Sequence, residues 1–563
     1  MTPIPTSILG KDLAPDQRSY LQGFFKGLED QGIRFGDLAP APDAAEPPIL
    51  IAEERIKKEE HPLDSYYRIE ENARADQAPD KEEIFRFKWH GLFYLTPVKD
   101  AFMARLRIPG GQLKSYQAHE LADLAAQLTT GYIQVTTRAN LQIRLIAPRD
   151  TPEFLRRVQA IGLHTQGAGA DNIRNITANP TAGVDPLELI DCTPYVQKLS
   201  QFILSHREFY DLPRKFNIAF DGGGLIGSVE DTNDIGVKAV RVGSEVRFRI
   251  ALGGATGHKA FARDLGVLVP PEEIVRVIVA LIRVFIRNGN RGDRKKARLK
   301  HLLEQWSLER YREETEKLLG HPLTRSALEE APLAYPCQEL PHSHIGVHRQ
   351  KQEGLTFIGV ALPIGQITPK QLHRLAELAE NYGSGDLRLT VWQNVVIPNI
   401  PNGFVETVKK ALIKVGLDWR QSNLTSGIIA CTGNRYCKYA ATDTKGHALE
   451  LARYLDQRLS LDQPVNIHFT GCPHSCAQHY MGDIGLLGAK TRDGQEAYHV
   501  CVGGGFGQNR AIGRQLFQAM PFEQAKRHIE KLLRLYLAKR QDGESFQQFT
   551  TRHEVGQLQE MLG

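Results

Sequence analysis

Two close pairs of cysteines stand near the C-terminal end of the sequence. Cys431 and Cys437 are separated by five residues, and Cys472 and Cys476 by three. Four thiolates carried by two loops can hold a tetrahedral zinc ion or an iron–sulfur cluster. The five-residue gap is less typical of zinc, and the neighbouring glycines and proline let the backbone wrap closely around a bulky group. The spacing therefore favours an iron–sulfur cluster, with zinc or unliganded core cysteines as the alternatives.

A row of polar residues forms a second candidate site. Polar and apolar residues alternate in the segment YIQVTTRANLQIRLI at 132–146, which predicts a strand or a hairpin. Side chains of equal parity project from one face of a strand, and here they are Arg138, Asn140, Gln142 and Arg144. A single arginine is commonly a solvated surface charge. Four polar groups on one face suit a bound cofactor better than a core.

The elements that carry these residues occur twice. Residues 105–146 align without a gap with residues 359–400, at a constant offset of 254 positions, and 14 of the 42 pairs are identical. Further matches follow in the same order: Thr177–Asn179 with Thr432–Asn434, Asn217–Gly222 with Asn466–Gly471, and Asp234–Gly236 with Asp483–Gly485. One module of about 150 residues is therefore duplicated.

Each copy has the pattern of an α+β fold. In the first copy, residues 101–108 alternate as a strand, Gly110 and Gly111 predict a turn, and residues 115–128 carry apolar residues at helical spacing. Two such copies can pair around a pseudo-twofold axis, and a cleft between them is a natural ligand site. Because only the second copy carries the cysteine pairs, one copy can hold the metal while the other contacts the ligand.

Length and charge exclude several classes of protein. The chain has 563 residues, of which 41% are hydrophobic and 24% charged, as in a globular protein of about four domains. The excess of 70 basic over 65 acidic residues is too small to indicate nucleic-acid binding. The apolar run at 274–286 contains two arginines and predicts a packed helix, not a membrane span. The N-terminus lacks a secretory pattern, so we expect a cytoplasmic protein without membrane contact.

Two short strings carry a family resemblance. The strings ACTGNRYC at 430–437 and TGCPHSC at 470–476 resemble the signature of the sirohaem-dependent nitrite and sulfite reductases. The resemblance extends to RLRIPGG at 105–111, TTRANLQ at 136–142 and LPRKFN at 212–217, and it covers roughly residues 85–563. It implies a ferredoxin-like half-domain plus a sirohaem- and cluster-binding α/β domain, each present twice with pseudo-twofold symmetry.

The resemblance also implies two cofactors, sirohaem and a [4Fe–4S] cluster. The cluster ligands would be Cys431, Cys437, Cys472 and Cys476, and Cys476 would also bridge to the sirohaem iron. Sirohaem carboxylates and an anionic substrate both require arginine and lysine. In the family pattern, Arg105 and Arg174 bind the substrate oxyanion. Lys215 is the proton donor, because neighbouring cations lower the pKa of its ammonium group. The macrocycle would be bound by Arg138, Asn140, Gln142, Arg144 and Arg214.

Residue 217 separates the two substrates of the family. Its sulfite reductases typically read Lys-Phe-Lys here and its ferredoxin nitrite reductases Lys-x-Asn, whereas this chain reads Lys215-Phe216-Asn217. A sulfite dianion gains from an additional cation that a nitrite monoanion does not need, so Asn217 favours nitrite. Asn466 occupies the equivalent place in the second copy, which leaves a strand residue of the repeat as another explanation. We expect six-electron reduction of nitrite to ammonium. The alternatives are sulfite reduction and a non-catalytic zinc- or cofactor-binding protein.

The sequence also gives an expectation for the source of the electrons. No flavin or nicotinamide region is evident, so electrons would come from a small acidic ferredoxin that docks on a basic surface. The basic stretch 287–300 is a candidate for that surface, for the sirohaem carboxylates, or for a solvated helix face. The charged run at 53–60 is interpreted as a solvated segment.

We expect a monomer with five parts: an N-terminal arm at 1–97, a first half-domain at 98–165, a sirohaem- and substrate-binding domain with a helical linker at 166–351, a second half-domain at 352–420, and a cluster- and sirohaem-binding domain with a helical tail at 421–563. Cys192, Cys337 and Cys501 are expected to be buried thiols.

Overall fold

The computed structural model describes residues 7–8, 11–30, 50–129, 131–325, 344–420 and 422–563. The chain divides into two units, residues 1–51 and 52–563. The first contains the paired strands β1 (Ser7–Ile8) and β2 (Lys11–Asp12) and helix α1 (Pro15–Asp30). The expected five-part division stays a prediction. Cys192 and Cys501 are buried as expected, and Cys337 lies outside the described residues.

The second unit contains the other described elements, numbered in chain order. Its strands are β3 (Leu92–Tyr94), β4 (Phe102–Arg105), β5 (Gln112–Lys114), β6 (Ile133–Val135), β7 (Leu141–Ile146), β8 (Ile218–Asp221), β9 (Ile235–Val242), β10 (Glu245–Leu252), β11 (Arg263–Val269), β12 (Gly346–Arg349), β13 (Leu355–Val360), β14 (Gln366–Ile367), β15 (Asp386–Leu389), β16 (Val395–Pro401), β17 (Ile428–Ala430), β18 (Ile467–Thr470), β19 (Ile484–Lys490), β20 (Glu496–Val502) and β21 (Arg514–Pro521). Its helices are α2 (Ala52–Glu59), α3 (Tyr66–Ala75), α4 (Lys81–Arg86), α5 (Ser115–Leu128), α6 (Thr151–Ala160), α7 (Thr193–Ser205), α8 (Ile274–Asn288), α9 (Leu299–Gln305), α10 (Leu308–Leu319), α11 (Pro369–Tyr382), α12 (Val405–Lys414), α13 (Thr444–Asp456), α14 (Phe522–Lys539), α15 (Phe546–Thr551) and α16 (Val555–Leu562).

The duplication predicted at 105–146 and 359–400 is confirmed, and the two copies exchange strands. The first sheet has the order β14-β6-β7-β4-β3, and the second has the order β12-β13-β16-β15-β5. Each copy thus gives a short strand to the sheet of the other, since β5 pairs with β15 and β14 pairs with β6. Helices α5 and α11, which begin 254 positions apart, pack against each other. This reciprocity is the expected pseudo-twofold symmetry.

A glycine in each copy makes the exchange possible. Gly111 and Gly365 have φ values of 72° and 70°, which side chains rarely adopt. A Cβ on Gly111 would lie 2.4 Å from the carbonyl oxygen of Leu389, and one on Gly365 would lie 2.6 Å from that of Val135. In both copies the turn therefore approaches a strand of the other copy more closely than any larger residue allows.

The two larger sheets are also related by the repeat. The sheet β11-β10-β9-β8 begins with the parallel pair β8/β9, and the sheet β17-β18-β19-β20-β21 contains the parallel pair β18/β19. Ile218 faces Ile235 in the first, and Ile467 faces Ile484 in the second, so sequence and register correspond. In both sheets antiparallel strands follow the parallel pair. The expected α+β class is confirmed.

Three apolar cores support these sheets. One lies under the two sheets that exchange strands. A second packs α7 and α8 on the β8–β11 sheet, and a third packs α13 and α14 on the β17–β21 sheet. Helix α8 contains the apolar run that predicted a packed helix, and its apolar side chains are almost all buried. Arg276 and Arg283 in it bond to the Leu319 carbonyl and to Glu208. No helix of the described residues is long and apolar enough to cross a membrane.

The interpretation of residues 53–60 as a solvated segment is wrong for part of that run. In helix α2, Glu54, Ile56 and Lys57 are buried. The charges tolerate burial because they are paired: the Lys57 ammonium contacts Glu54, lies 2.9 Å from Asp211, and donates to the Leu212 carbonyl at 3.0 Å. Asp211 and Leu212 lie far along the chain, so the local run of charges gave no sign of them.

Candidate active site

A cavity of about 540 Å³ opens where the two copies meet. Its wall carries residues of the first copy, of the segment before α9, and of the cysteine loops. No aspartate or glutamate lines it among the described residues. The cations that do are Arg105, Arg138, Arg174, Arg214, Lys215, Arg294, Lys295 and Arg298. Such a wall is suited to an anionic occupant, because buried like charges repel unless a counter-charge lies between them.

Arg105 and Arg174 present unsatisfied N–H groups. Arg105 ends strand β4, and its guanidinium lies 4.3 Å from the centre of the Phe93 ring. Its Nε and the Nη1 of Arg174 are buried without a hydrogen-bond partner. Burial lowers the pKa of Arg105 to about 10. Burial and then the Arg105 charge lower that of Arg174 well below its usual value. Both shifts arise mainly from burial, which disfavours the charged form of each guanidinium and which a bound anion would offset.

Lys215 and Asn217 continue the same wall. Burial, followed by the charge of Arg298, lowers the pKa of the Lys215 ammonium to about 7. The Asn217 backbone N–H donates to Asp234 at 2.8 Å, while its side-chain oxygen is buried without a partner. Asn466 in the second copy has the same two properties, with Asp483 accepting at 2.7 Å. Both copies thus use this backbone N–H in the same way, whereas only Asn217 of the first copy lines the cavity.

The polar row at 138–144 is only partly as expected. Arg138 and Asn140 lie in the turn before β7, and only the other two lie within the strand. Arg138, Asn140 and Gln142 line the cavity, but Arg144 does not. The Arg138 guanidinium donates to Asn233 and to two backbone carbonyls. Arg144 donates to Gln134, Gln142 and, at 2.9 Å, Thr432. It therefore reaches the first cysteine loop and not the cavity.

The basic stretch at 287–300 faces the cavity in part. Arg294, Lys295 and Arg298 line it, so these three are placed for the sirohaem alternative, which stays a prediction. Arg294 donates twice to Asp171 at 2.8 Å, and Arg214 lies 3.5 Å from the same carboxylate. These ion pairs fix the direction of the guanidinium groups, which sequence spacing did not reveal.

The four cysteines follow two parallel strands. Cys431 directly follows β17, and Cys472 comes two residues after β18, so both loops leave the same edge of the sheet. Gly471 N–H donates to the Cys431 thiol at 3.2 Å. Cys476 is solvent-accessible at the cavity wall, although protein atoms surround it on the other sides. Burial, and then the nearby Cys431, raise the pKa of its thiol to about 12.

The four thiols form one group. Cys431, Cys437 and Cys472 all act electrostatically on Cys476, so the two loops of the second copy bring the four side chains together. Four grouped thiols fit the iron–sulfur cluster that the spacing favours.

Several lining residues were not singled out by the sequence. Thr256 and Gly257 precede β11, and Gln478 follows the second cysteine pair. Burial, and then Arg298, lower the pKa of His258 to about 4, so its imidazole is neutral. These residues lie in loops without a periodic pattern. The repeated glycines at 253–257 and 503–507 were the only indication of this region.

Comparison with known proteins agrees with this arrangement. A family model described as the nitrite and sulphite reductase 4Fe-4S domain matches residues 169–323 and 422–561. A model of the nitrite/sulfite reductase ferredoxin-like half domain matches residues 96–161 and 348–415. A ferredoxin–nitrite reductase of Synechococcus elongatus is 38% identical, covering 80% of this chain and 88% of that protein. A chloroplastic ferredoxin–nitrite reductase of Zea mays is 34% identical, covering 84% and 87%.

A solved structure from another organism has a similar fold. The Mycobacterium tuberculosis NirA protein is 30% identical and superposes with a TM-score of 0.83, covering 91% of this chain and 98% of that one. The cofactors implied by these matches are sirohaem and a [4Fe–4S] cluster. With both repeated domains matched across most of its length, the chain belongs to the nitrite and sulphite reductase family.

Proposed function

We propose that this chain is a ferredoxin–nitrite reductase that reduces nitrite to ammonium with six electrons from ferredoxin. The observation that carries the proposal is the cavity wall, which has eight cations, no described carboxylate, and Cys476 at its edge. The relatives named ferredoxin–nitrite reductase support nitrite as the substrate and ferredoxin as the donor. We further propose that the enzyme acts as a monomer.

The residues present fit the two cofactors. Arg105 and Arg174 line the cavity, and no protein carboxylate pairs with either guanidinium among the described residues, which suits an anionic occupant. The neighbouring cations Arg214, Lys295 and Arg298 would hold sirohaem carboxylates, with Arg138, Asn140 and Gln142 contacting the macrocycle. The four cysteines would hold the cluster, and Cys476, the most exposed of them, is suited to the position between the two groups. When bound, sirohaem and the cluster supply the single-electron steps.

The chain's own residues bind the substrate anion and deliver protons. Arg105 and Arg174 line the cavity, so their guanidinium groups can orient an oxyanion by charge-assisted hydrogen bonds. Lys215 holds a proton that it can release near neutral pH, because burial and Arg298 disfavour its ammonium form. Arg144 and Arg107 act as supports. Arg144 holds the first cysteine loop through Thr432, and Arg107 donates to the carbonyls of the loop that carries Arg174.

The proposal is tested by parallel turnover with nitrite and sulfite. Purified enzyme with both cofactors is supplied with reduced ferredoxin, and ammonium and sulfide are measured as products. We expect much higher kcat/KM for nitrite and six ferredoxins oxidised per ammonium. A preference for sulfite would retain the fold and the cofactors but overturn the proposed substrate.

A variant at residue 217 tests the origin of the preference. Asn217→Lys adds a cation to the wall, which favours a dianion over a monoanion, so we expect the sulfite-to-nitrite ratio of kcat/KM to rise. Asn217→Gln is the matched control, because it changes size without changing charge. If both variants move the ratio equally, the shape of the side chain sets the preference and not its charge.

A further inference from the structure

Two histidines, one from each copy, are in contact at the packed helices α5 and α11. His119 in α5 and His373 in α11 occupy equivalent positions of the repeat, 254 residues apart. Their Nδ1 atoms are 2.8 Å apart, and the ring planes make an angle of 39°. About a third of each side chain is exposed (30% and 32%), so ions in solution can reach the pair.

The outer nitrogen of each ring faces a carboxylate. His373 Nε2 lies 2.9 Å from Asp123 Oδ1, and His119 Nε2 lies 3.5 Å from Glu380 Oε2. A carboxylate only accepts hydrogen bonds, so His373 Nε2 carries a proton, and the Glu380 carboxylate favours the same tautomer in His119. In a neutral ring of that tautomer, Nδ1 is left with a lone pair. Two lone pairs that face each other at 2.8 Å repel unless a cation lies between them.

That cation is either a proton or a metal ion. Metal-binding histidines characteristically donate their other ring N–H to a carboxylate, as both rings are placed to do here. Zinc–nitrogen bonds of about 2.0–2.1 Å at a tetrahedral angle place two ligand nitrogens about 3.3 Å apart. The rings would need to separate by about 0.5 Å. Small side-chain rotations of two partly exposed histidines can supply this.

We propose that His119 and His373 form a surface site for a divalent transition metal that prefers imidazole, such as Zn²⁺ or Ni²⁺. No third protein ligand is within reach among the described residues, so water completes the coordination. The bound metal links the two copies across their pseudo-twofold axis. The site is independent of the cavity, since neither histidine lines it.

Equilibrium dialysis of the purified holoenzyme against Zn²⁺ alone, with bound zinc measured by mass spectrometry, tests the site. We expect wild type to bind one more Zn²⁺ than the His119→Gln/His373→Gln double variant. Each single variant should bind this zinc at least tenfold more weakly. Zinc should also raise the unfolding temperature of wild type and not that of the double variant, because a ligand that binds only the folded state stabilises it.

A pair of carboxylate variants separates a designed site from chance binding. Asp123→Asn removes the acceptor behind His373 and should weaken zinc binding by about 10- to 100-fold. Glu377→Gln is the matched control, since Glu377 is the repeat equivalent of Asp123 but contacts Arg374 at 2.6 Å and not a histidine. Equal zinc uptake by wild type and the double variant would overturn the proposal and leave a shared proton between the rings. Equal effects of the two carboxylate variants would also overturn it.

Discussion

The duplicated carboxylates Asp234 and Asp483 provide an internal comparison for a charge at the cavity wall. Asp234 is fully buried, accepts the Asn217 N–H, and is paired with Arg298, whose Nη2 lies 2.8 Å away. Asp483 accepts the Asn466 N–H in the same way, but no arginine pairs with it in the described chain. Burial raises the pKa of Asp483 from 3.8 to about 7. Replacing Arg298 by methionine should move Asp234 towards the same condition, with Arg138 and Lys215 as the cations that remain near it.

The expected cost follows from that comparison. A rise in pKa from 3.8 to about 7 corresponds to about 4 kcal/mol, which agrees with the ~3–5 kcal/mol cost of breaking a buried ion pair. A carboxyl whose pKa is raised by folding binds a proton that the unfolded chain releases. The free energy of unfolding of Arg298→Met should therefore fall as pH rises from about 4 to 7. Its deficit relative to wild type should be about 2 kcal/mol larger at pH 8 than at pH 5.5.

Urea unfolding followed by circular dichroism at pH 5.5 and 8 measures this difference. Four proteins are compared: wild type, Arg298→Met, Asp234→Asn, and the double variant. Asp234→Asn in the Arg298→Met background removes the unpaired charge, so it should recover most of the lost free energy at pH 8. A deficit that is the same at both pH values, or a double variant no more stable than Arg298→Met, would refute the reasoning.

Three further predictions use the same physical arguments. Asp483→Asn should raise the free energy of unfolding at pH 8 and not at pH 4, because the cost of the raised pKa accumulates as pH rises from about 4 to 7. Urea unfolding at the two pH values checks it, and a gain independent of pH would contradict it. Lys57→Met should cost about 1–3 kcal/mol, because the buried Glu54 carboxylate loses its lysine and keeps Arg291 as its partner, and an unchanged urea midpoint would show that the lysine is not needed. Gly111→Ala should destabilise more than Gly162→Ala in thermal unfolding. Both glycines have positive φ, but only Gly111 lacks space for a Cβ, so equal losses would mean that backbone strain alone matters.

The sequence was sufficient for features that depend on repetition and local pattern. The offset between residues 105–146 and 359–400 predicted where α5 and α11 begin, because each copy carries its own helical periodicity. The cysteine strings predicted that two loops would meet, and β17 and β18 bring them to one edge of a parallel sheet. Such features are encoded within short stretches of chain.

Other features depend on partners that are distant in sequence. The burial of Lys57 depends on residues about 155 positions away, and the run around it contains only charged residues apart from Ile56. The Arg144 guanidinium turns away from the cavity because Thr432, 288 positions away, accepts its hydrogen bond. Parity along a strand predicted the face on which a side chain lies, but not the acceptor that its terminal atoms select.

The exchange of β5 and β14 has a consequence for synthesis of the chain on the ribosome. Strand β6 ends at Val135, and its partner β14 begins only at Gln366. At about 5–20 residues per second, β6 waits on the order of tens of seconds with its outer edge unpaired. An unpaired edge is a template for pairing with another chain. The newly made first copy is therefore most exposed to aggregation during this interval, which ends when the turn at Gly365 has been translated.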